Sequence, residues 1–192
     1  MRKATTKRET AEVKIAVKLN LDGKGRANVD TGNKFLNHLL TTLTKHSLID
    51  LEVKASGDLK HHLSEDAALV VGEAINKALG DKRGIKRFGS AYVSMDDSLA
   101  RATVDLGGRP YAKTDLQIQS TEIEDLKTED IEHFFSSLAQ TSKANIHLAT
   151  LYGTNDHHKI EAIVKALALA LKEAFSLEPR ISRMVPSAKG EL

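Results

Sequence analysis

Apolar and polar residues alternate from Glu12 to Asn20, the period of a half-buried strand. The turn-rich run Leu21-Asp22-Gly23-Lys24-Gly25 then reads as a hairpin bend into a second strand over Arg26–Val29. Phe35 to Thr44 has apolar residues at 35, 36, 39, 40 and 43, which form one face of a helix. Leu48–Lys54 reads as a short strand. From His61 to Leu79, apolar residues at 67, 70, 71, 74, 75, 78 and 79 predict a second helix, and Gly80 stops it. After Gly84 the order begins again. Strands are predicted over Phe88–Met95, Leu99–Leu106 and Tyr111–Gln119, a helix over Glu132–Gln140, a strand over Ala144–Tyr152 and a long helix over Asp156–Phe175. Glu178–Leu192 is irregular, with two prolines and a small basic end. The pattern predicts an α/β chain of the α+β two-layer kind. It has internally duplicated β-β-α-β-α halves, about 8–86 and 87–176, with sheet packed against helices and a tail over 177–192. No Gly-, Pro- or Ser-rich linker divides the halves, so they make one domain.

Composition narrows the chemistry. Of 192 residues, 41% are hydrophobic, enough for one core. Lys and Arg number 28 against 26 Asp and Glu, and this formal charge of +2 offers no basic face for nucleic acid or an acidic membrane. The absence of cysteine excludes disulfides, thiol catalysis and cysteine-based metal sites. With no Trp, three Tyr and five Phe, stacking on nucleobases is poorly supported. The polar start MRKATTKRET carries no secretory pattern, and the longest apolar stretch, Ala166–Leu171, is too short to span a bilayer. A cytoplasmic protein with neither nucleic-acid nor membrane partners is expected.

The eight histidines change the picture. His38 and His133 lie in the first helix of each half, 95 residues apart. The pairs His61-His62 and His157-His158 open the second helices, 96 apart, and Glu65 and Glu161 complete each as HHxxE at the same spacing. Residues three and four apart share a helix face. Imidazole and carboxylate converging there suit Zn, Mn, Fe, Co or Ni. Adjacent histidines diverge by about a third of a turn, so a pair is poorly placed to chelate one ion and could instead supply one ligand each to two. The expectation is two similar sites, each drawing ligands from both halves. Their eight ligands would be His38, His61, His62, Glu65, His133, His157, His158 and Glu161. His147, inside a strand, reads as a structural histidine, and His46 has no counterpart in the repeat.

The motifs HHLSEDAAL, GDKRGIKRFG, MDDSLARATVDLGGRP, EHFFSSLA, GTNDHHKIEAIVKAL and the terminal PSAKG together resemble imidazoleglycerol-phosphate dehydratase of histidine biosynthesis, in order and spacing, from Arg8 to Lys189. The resemblance implies a duplicated α/β fold and a hydro-lyase with two Mn2+ ions per active site. It also implies a 24-subunit homo-oligomer with active sites between subunits. Carried over motif by motif, the metal ligands fall on the same eight residues. The substrate phosphate would be held by Arg87, Arg109, Lys165, Ser187 and Lys189, which makes 177–192 a phosphate-binding tail. His38 would also contact the substrate. Glu12, in Arg8-Glu9-Thr10-Ala11-Glu12, would face the reacting carbons as acid–base group, with Glu161 as an assisting metal-linked carboxylate.

The implied reaction dehydrates imidazole glycerol phosphate to imidazole acetol phosphate through an imidazolate bound by two metal ions. Arg forks and Lys point charges suit a phosphate monoester. Two other readings use the same residues, a di-metal phosphatase acting on a small phosphate ester and a non-catalytic metal-bound shell protein. The chain departs from the family pattern at Asn37, Thr42 and Asp97. It also shortens the segment Gly57-Asp58-Leu59-Lys60-His61-His62 by three residues, among them carboxylates able to orient metal-bound imidazoles.

Overall fold

The computed structural model describes residues 2–192. The first half contains β1 (Lys3–Glu9), β2 (Val13–Asn20), β3 (Ala27–Asp30), α1 (Lys34–Ser47), β4 (Asp50–Gly57) and α2 (Lys60–Leu79). The second contains β5 (Phe88–Met95), β6 (Ser98–Asp105), β7 (Tyr111–Asp115) and a short hairpin of β8 (Glu122–Ile123) and β9 (Leu126–Lys127). It continues with α3 (Thr128–Ser142), β10 (Asn145–Tyr152) and α4 (Asp156–Phe175). Two four-stranded mixed sheets result, ordered β1-β2-β4-β3 and β5-β6-β10-β7. The duplicated α/β architecture is therefore present, with one strand more in each four-stranded sheet than the β-β-α-β-α pattern and the β8–β9 hairpin in addition in the second half.

That extra strand corrects the reading of the first turn. The hairpin partner of β2 is β1, in register from Lys3↔Asn20 to Glu9↔Lys14, and the bend lies at Thr10–Glu12. There the Thr10 hydroxyl accepts from the Glu12 and Val13 amides at 3.1 Å each. Leu21–Gly25 leads instead to β3, which pairs parallel with β4. β1 escapes pattern reading because its sequence, KATTKRE, buries only Thr6. The Thr6 hydroxyl donates to the Val70 carbonyl at 3.1 Å.

The inner face of β2, formed by Val13, Ile15, Val17 and Leu19, is no more than 3% exposed. The α2 helix covers the first sheet and α4 the second, while α1 packs on α4 and α2 on α3. The order of layers is thus sheet, helices, sheet, with each helix pair joining the two halves. Glycine permits the closest of these approaches. A Cβ at Gly72 would meet Thr141, with the Leu138 carbonyl at 2.7 Å and the Ser142 amide nitrogen at 2.9 Å. The repeat is also not uniform. β2 and β6 begin 85 residues apart (Val13, Ser98), whereas α2 and α4 begin 96 apart (Lys60, Asp156). The additional residues lie between Asp115 and Thr128 and include the β8–β9 hairpin.

Candidate metal centre and phosphate region

Each helix pair that joins the halves carries one cluster of possible ligands. At α1–α4 these are His38, His157 and Glu161; at α2–α3 they are His61, Glu65 and His133. Within each set the three donor atoms lie within 4.8 Å of one another. His38 Nε2 and His157 Nε2 stand 3.1 and 3.3 Å from Glu161 Oε2, and His61 Nε2 stands 3.6 Å from Glu65 Oε2. Both sets cross the repeat, one half giving a single histidine and the other a His and Glu four residues apart. Helix starts put them there. The Asn155 side chain caps α4 by accepting from the His158 amide at 3.2 Å, so the His-His pair falls in the first turn.

Four carboxylates aim the imidazoles. His61 Nδ1 donates to Asp130 at 2.6 Å, His62 Nδ1 to Asp58 at 2.8 Å, His157 Nδ1 to Glu124 at 3.1 Å and His158 Nδ1 to Asp97 at 2.6 Å. An ionised carboxylate only accepts, so each Nδ1 keeps its proton and each Nε2 presents a lone pair. This donor set suits a borderline divalent ion. The shortened Gly57–His62 segment has not stripped the histidines of orienting partners, because Asp58 and the distant Asp130 serve the pair it contains.

Electrostatics keep the carboxylates of the site ionised. Burial opposes the charge of Glu161, but hydrogen bonds from Lys165 and His38 hold its carboxyl at about 2. Asp97 is pushed far below the aspartate range by the Asn155 amide, His158 and both Thr154 donors. The Asp58 hydrogen bond raises His62 against a small desolvation.

Two of the eight candidate ligands stand outside both sets. His158 points its Nδ1 atom at Asp97 in the β5–β6 turn, whereas His62 Nδ1 bonds Asp58 just before α2 and lies 3.8 Å from Glu12 Oε2 in the β1–β2 turn. Glu12 itself is exposed. Among the candidate phosphate ligands, Lys165 Nζ lies 2.9 Å from Glu161 and 3.1 Å from Met95 Sδ, at the end of β5. Arg87 lies just before the start of β5, about 26 Å away along the strand. Its guanidinium forks onto Asp105 at 2.6 and 3.0 Å and donates to the Pro186 carbonyl at 3.0 Å. The tail that follows carries Ser187 and Lys189, and its last residue, Leu192, reaches Gly108 beside exposed Arg109. Arg87, Arg109, Ser187 and Lys189 thus share one region, and Lys165 occupies another.

Sequence reasoning missed Glu124 and Asp125, which belong to the segment where the repeat loses register, and Asp130, in the first turn of α3. His46 lies two turns beyond His38 on α1 and faces α4. Burial lowers its pKa, Lys165 adds to the effect and Glu161 opposes it. His147, read as a structural histidine, is instead exposed on the outer face of β10, with its ring 5.7 Å from that of Tyr111. The strand alternation turns it away from the core.

A family model described as imidazoleglycerol-phosphate dehydratase matches residues 31–171. The chain belongs to the imidazoleglycerol-phosphate dehydratase family. Membership makes it a hydro-lyase. Imidazoleglycerol-phosphate dehydratases of Chlorobium luteolum and Dehalococcoides mccartyi are 50% and 48% identical to it, over 100% of this chain and 96% and 97% of theirs. A crystal structure of the Pyrococcus furiosus dehydratase superposes with a TM-score of 0.85 at 34% identity, covering 97% of this chain and 99% of that one. The Staphylococcus aureus dehydratase gives 0.83 at 32%, over 91% and 100%. No helix of the described residues is long and apolar enough to cross a membrane.

Proposed function

We propose that this chain dehydrates imidazole glycerol phosphate to imidazole acetol phosphate in histidine biosynthesis, as a metal-dependent cytoplasmic enzyme. The observation that carries the metal dependence is the mirrored pair of His-His-Glu sets, in which carboxylates on Nδ1 of His61 and His157 leave their Nε2 lone pairs turned toward the glutamates. His38, His157 and Glu161 would hold one ion, and His61, Glu65 and His133 the other. His62 and His158 would complete sites in a neighbouring subunit. Two divalent ions held by these residues, Mn2+ in our reading, would supply Lewis-acid charge to the substrate's imidazole.

The protein's own groups do the rest. The substrate loses a carbon-bound proton and a hydroxyl, and the enol that remains becomes the ketone. Glu12 is exposed and unburdened by short hydrogen bonds, so its carboxylate can take the proton and return it to the departing oxygen. Glu161 stays ionised at neutral pH and assists from the ligand set. Lys165 from one subunit, with Arg87, Arg109, Ser187 and Lys189 from another, would neutralise the phosphate. The separation of Lys165 from the other four within one chain supports a site shared between subunits, in an assembly we put at 24.

One assay distinguishes the readings. Metal-stripped protein reloaded with Mn2+ and given imidazole glycerol phosphate should release the ketone. Free phosphate would point to a di-metal phosphatase, and no product to a metal-bound shell protein. Full turnover by Glu12→Gln would remove Glu12 from the mechanism.

A further inference from the structure

The β8–β9 hairpin has no counterpart in the first half, and its two-residue tip, Glu124-Asp125, reaches three helices. Glu124 accepts from His157 Nδ1 on α4 at 3.1 Å. The Asp125 carboxylate accepts from the Lys34 and Phe35 amides at 3.0 and 2.9 Å, at the N-terminus of α1. The Asp125 carbonyl accepts from Asn33 Nδ2 at 2.8 Å and, at 2.9 Å, from Lys60 Nζ at the start of α2.

These bonds fill a need that α1 cannot meet itself. The first turn of α1 holds no acidic residue, and the Asn33 side chain satisfies only the Leu36 amide, at 2.7 Å. Asp125 supplies the missing acceptors and the negative charge that a helix N-terminus favours. Glu124 adopts φ 54, in the left-handed region where glycine is at home, yet its side chain is the one that holds His157. The tip also walls a cleft of about 280 Å3 with Lys34, Phe35, His38 and His157.

We infer that the Glu124-Asp125 tip is the positioning element for the α1–α4 ligand set, locking the ring of His157 and the start of the helix that carries His38. The α2–α3 set has a different support, since His61 is held by Asp130 inside α3. The two ligand sets are therefore tuned separately. This rests on the metal reading above for its ligand, and on the chain's own hydrogen bonds for its geometry.

The test uses full-length protein stripped of metal and titrated with Mn2+. Glu124→Ala should weaken one of two classes of Mn2+ site by about 10–100-fold and leave the other unchanged. Glu124→Gln, whose amide oxygen still accepts from Nδ1, should recover most of that loss. Glu122→Ala, two residues before Glu124 on β8, should match the unaltered protein. In the metal-free protein, Asp125→Ala should remove hydrogen-exchange protection at the Lys34 and Phe35 amides; Asp125→Asn, which keeps one acceptor, should remove only part of it. Equal weakening of both classes, or no change in either, would overturn the inference, as would unaltered exchange at 34–35 in both Asp125 variants. If the unaltered protein takes up no Mn2+, the metal reading fails. The exchange result then still decides whether the tip clamps α1.

Discussion

Gly72→Ala puts two known effects in opposition, and the structure says which prevails. In an isolated helix, replacing an interior glycine by alanine is worth about 1 kcal/mol of added stability. In this fold Gly72 faces α3 at the crossing of α2 and α3. A Cβ there would meet Thr141, the Leu138 carbonyl at 2.7 Å and the Ser142 amide nitrogen at 2.9 Å, while ordinary contact begins near 3.4 Å. Thr141 is a side chain and could turn, although its hydroxyl donates to the Ser137 carbonyl at 3.1 Å. The other two neighbours are backbone, so the helices must part by roughly half an ångström or more. Overpacking of this kind costs about 1–3 kcal/mol, which cancels or exceeds the helical gain. The net expectation is a loss of up to about 2 kcal/mol, seen as a lowered melting temperature of several degrees for a chain of this size. The same helices carry His61, Glu65 and His133, so Mn2+ affinity should fall at that set and not at His38, His157 and Glu161. The measurements are thermal unfolding and Mn2+ titration of the same samples. A rise in melting temperature would refute the close crossing, because only the propensity term would then be acting.

Two further outcomes follow from single contacts. Arg87→Lys keeps a charge but loses the fork onto Asp105 and the bond to Pro186; limited proteolysis should cleave the chain beyond Arg183 sooner, and an unchanged digestion rate would count against this anchoring of the tail. Asp50 accepts from the Lys24 and Arg26 amides at 2.8 and 3.0 Å, and those bonds lower its pKa below 3.8. Its ionised form therefore contributes stability that is fully present above pH 3.8 and is lost as pH falls through the lower folded value. The stability gap between the unaltered protein and Asp50→Ala should be constant from pH 5 to 7 in denaturant titrations and narrow below about pH 4.

The helices were legible because their apolar stripes are regular and their ends carry ordinary signals. Each predicted helix overlaps its observed counterpart, and α4 matches at both ends. The clustering of candidate ligands was legible for a different reason, since duplication repeats HHxxE at 96 residues and exposes the pattern twice. β1 was not legible, because an edge strand with charged residues outward and a threonine inward shows no apolar alternation. Nor were the residues that aim His61 and His157. Asp130 sits 69 positions from His61 and Glu124 sits 33 from His157, and only folding makes such pairs neighbours. A carboxylate at such distances leaves no local spacing to read.

The shift of the repeat from 96 to 85 residues also bears on Glu12. At the strand register of 85, Glu12 in the β1–β2 bend corresponds to Asp97 in the β5–β6 bend. The two equivalent carboxylates have opposite situations. Asp97 accepts from the Thr154 and Asn155 amides, the Thr154 hydroxyl and His158, so it is consumed in holding the entry to α4. In the first half that work is shared out differently: Asp58 takes the imidazole of His62 at 2.8 Å, and Glu12 is left 3.8 Å away with more than half its side chain exposed. Glu12 is also one methylene longer than its counterpart. A carboxylate relieved of structural duty, beside a candidate ligand and open to solvent, is the kind that can accept and return a proton. Duplication supplied two equivalent bends, and divergence between them left one carboxylate for structure and the other free for the acid–base role proposed above.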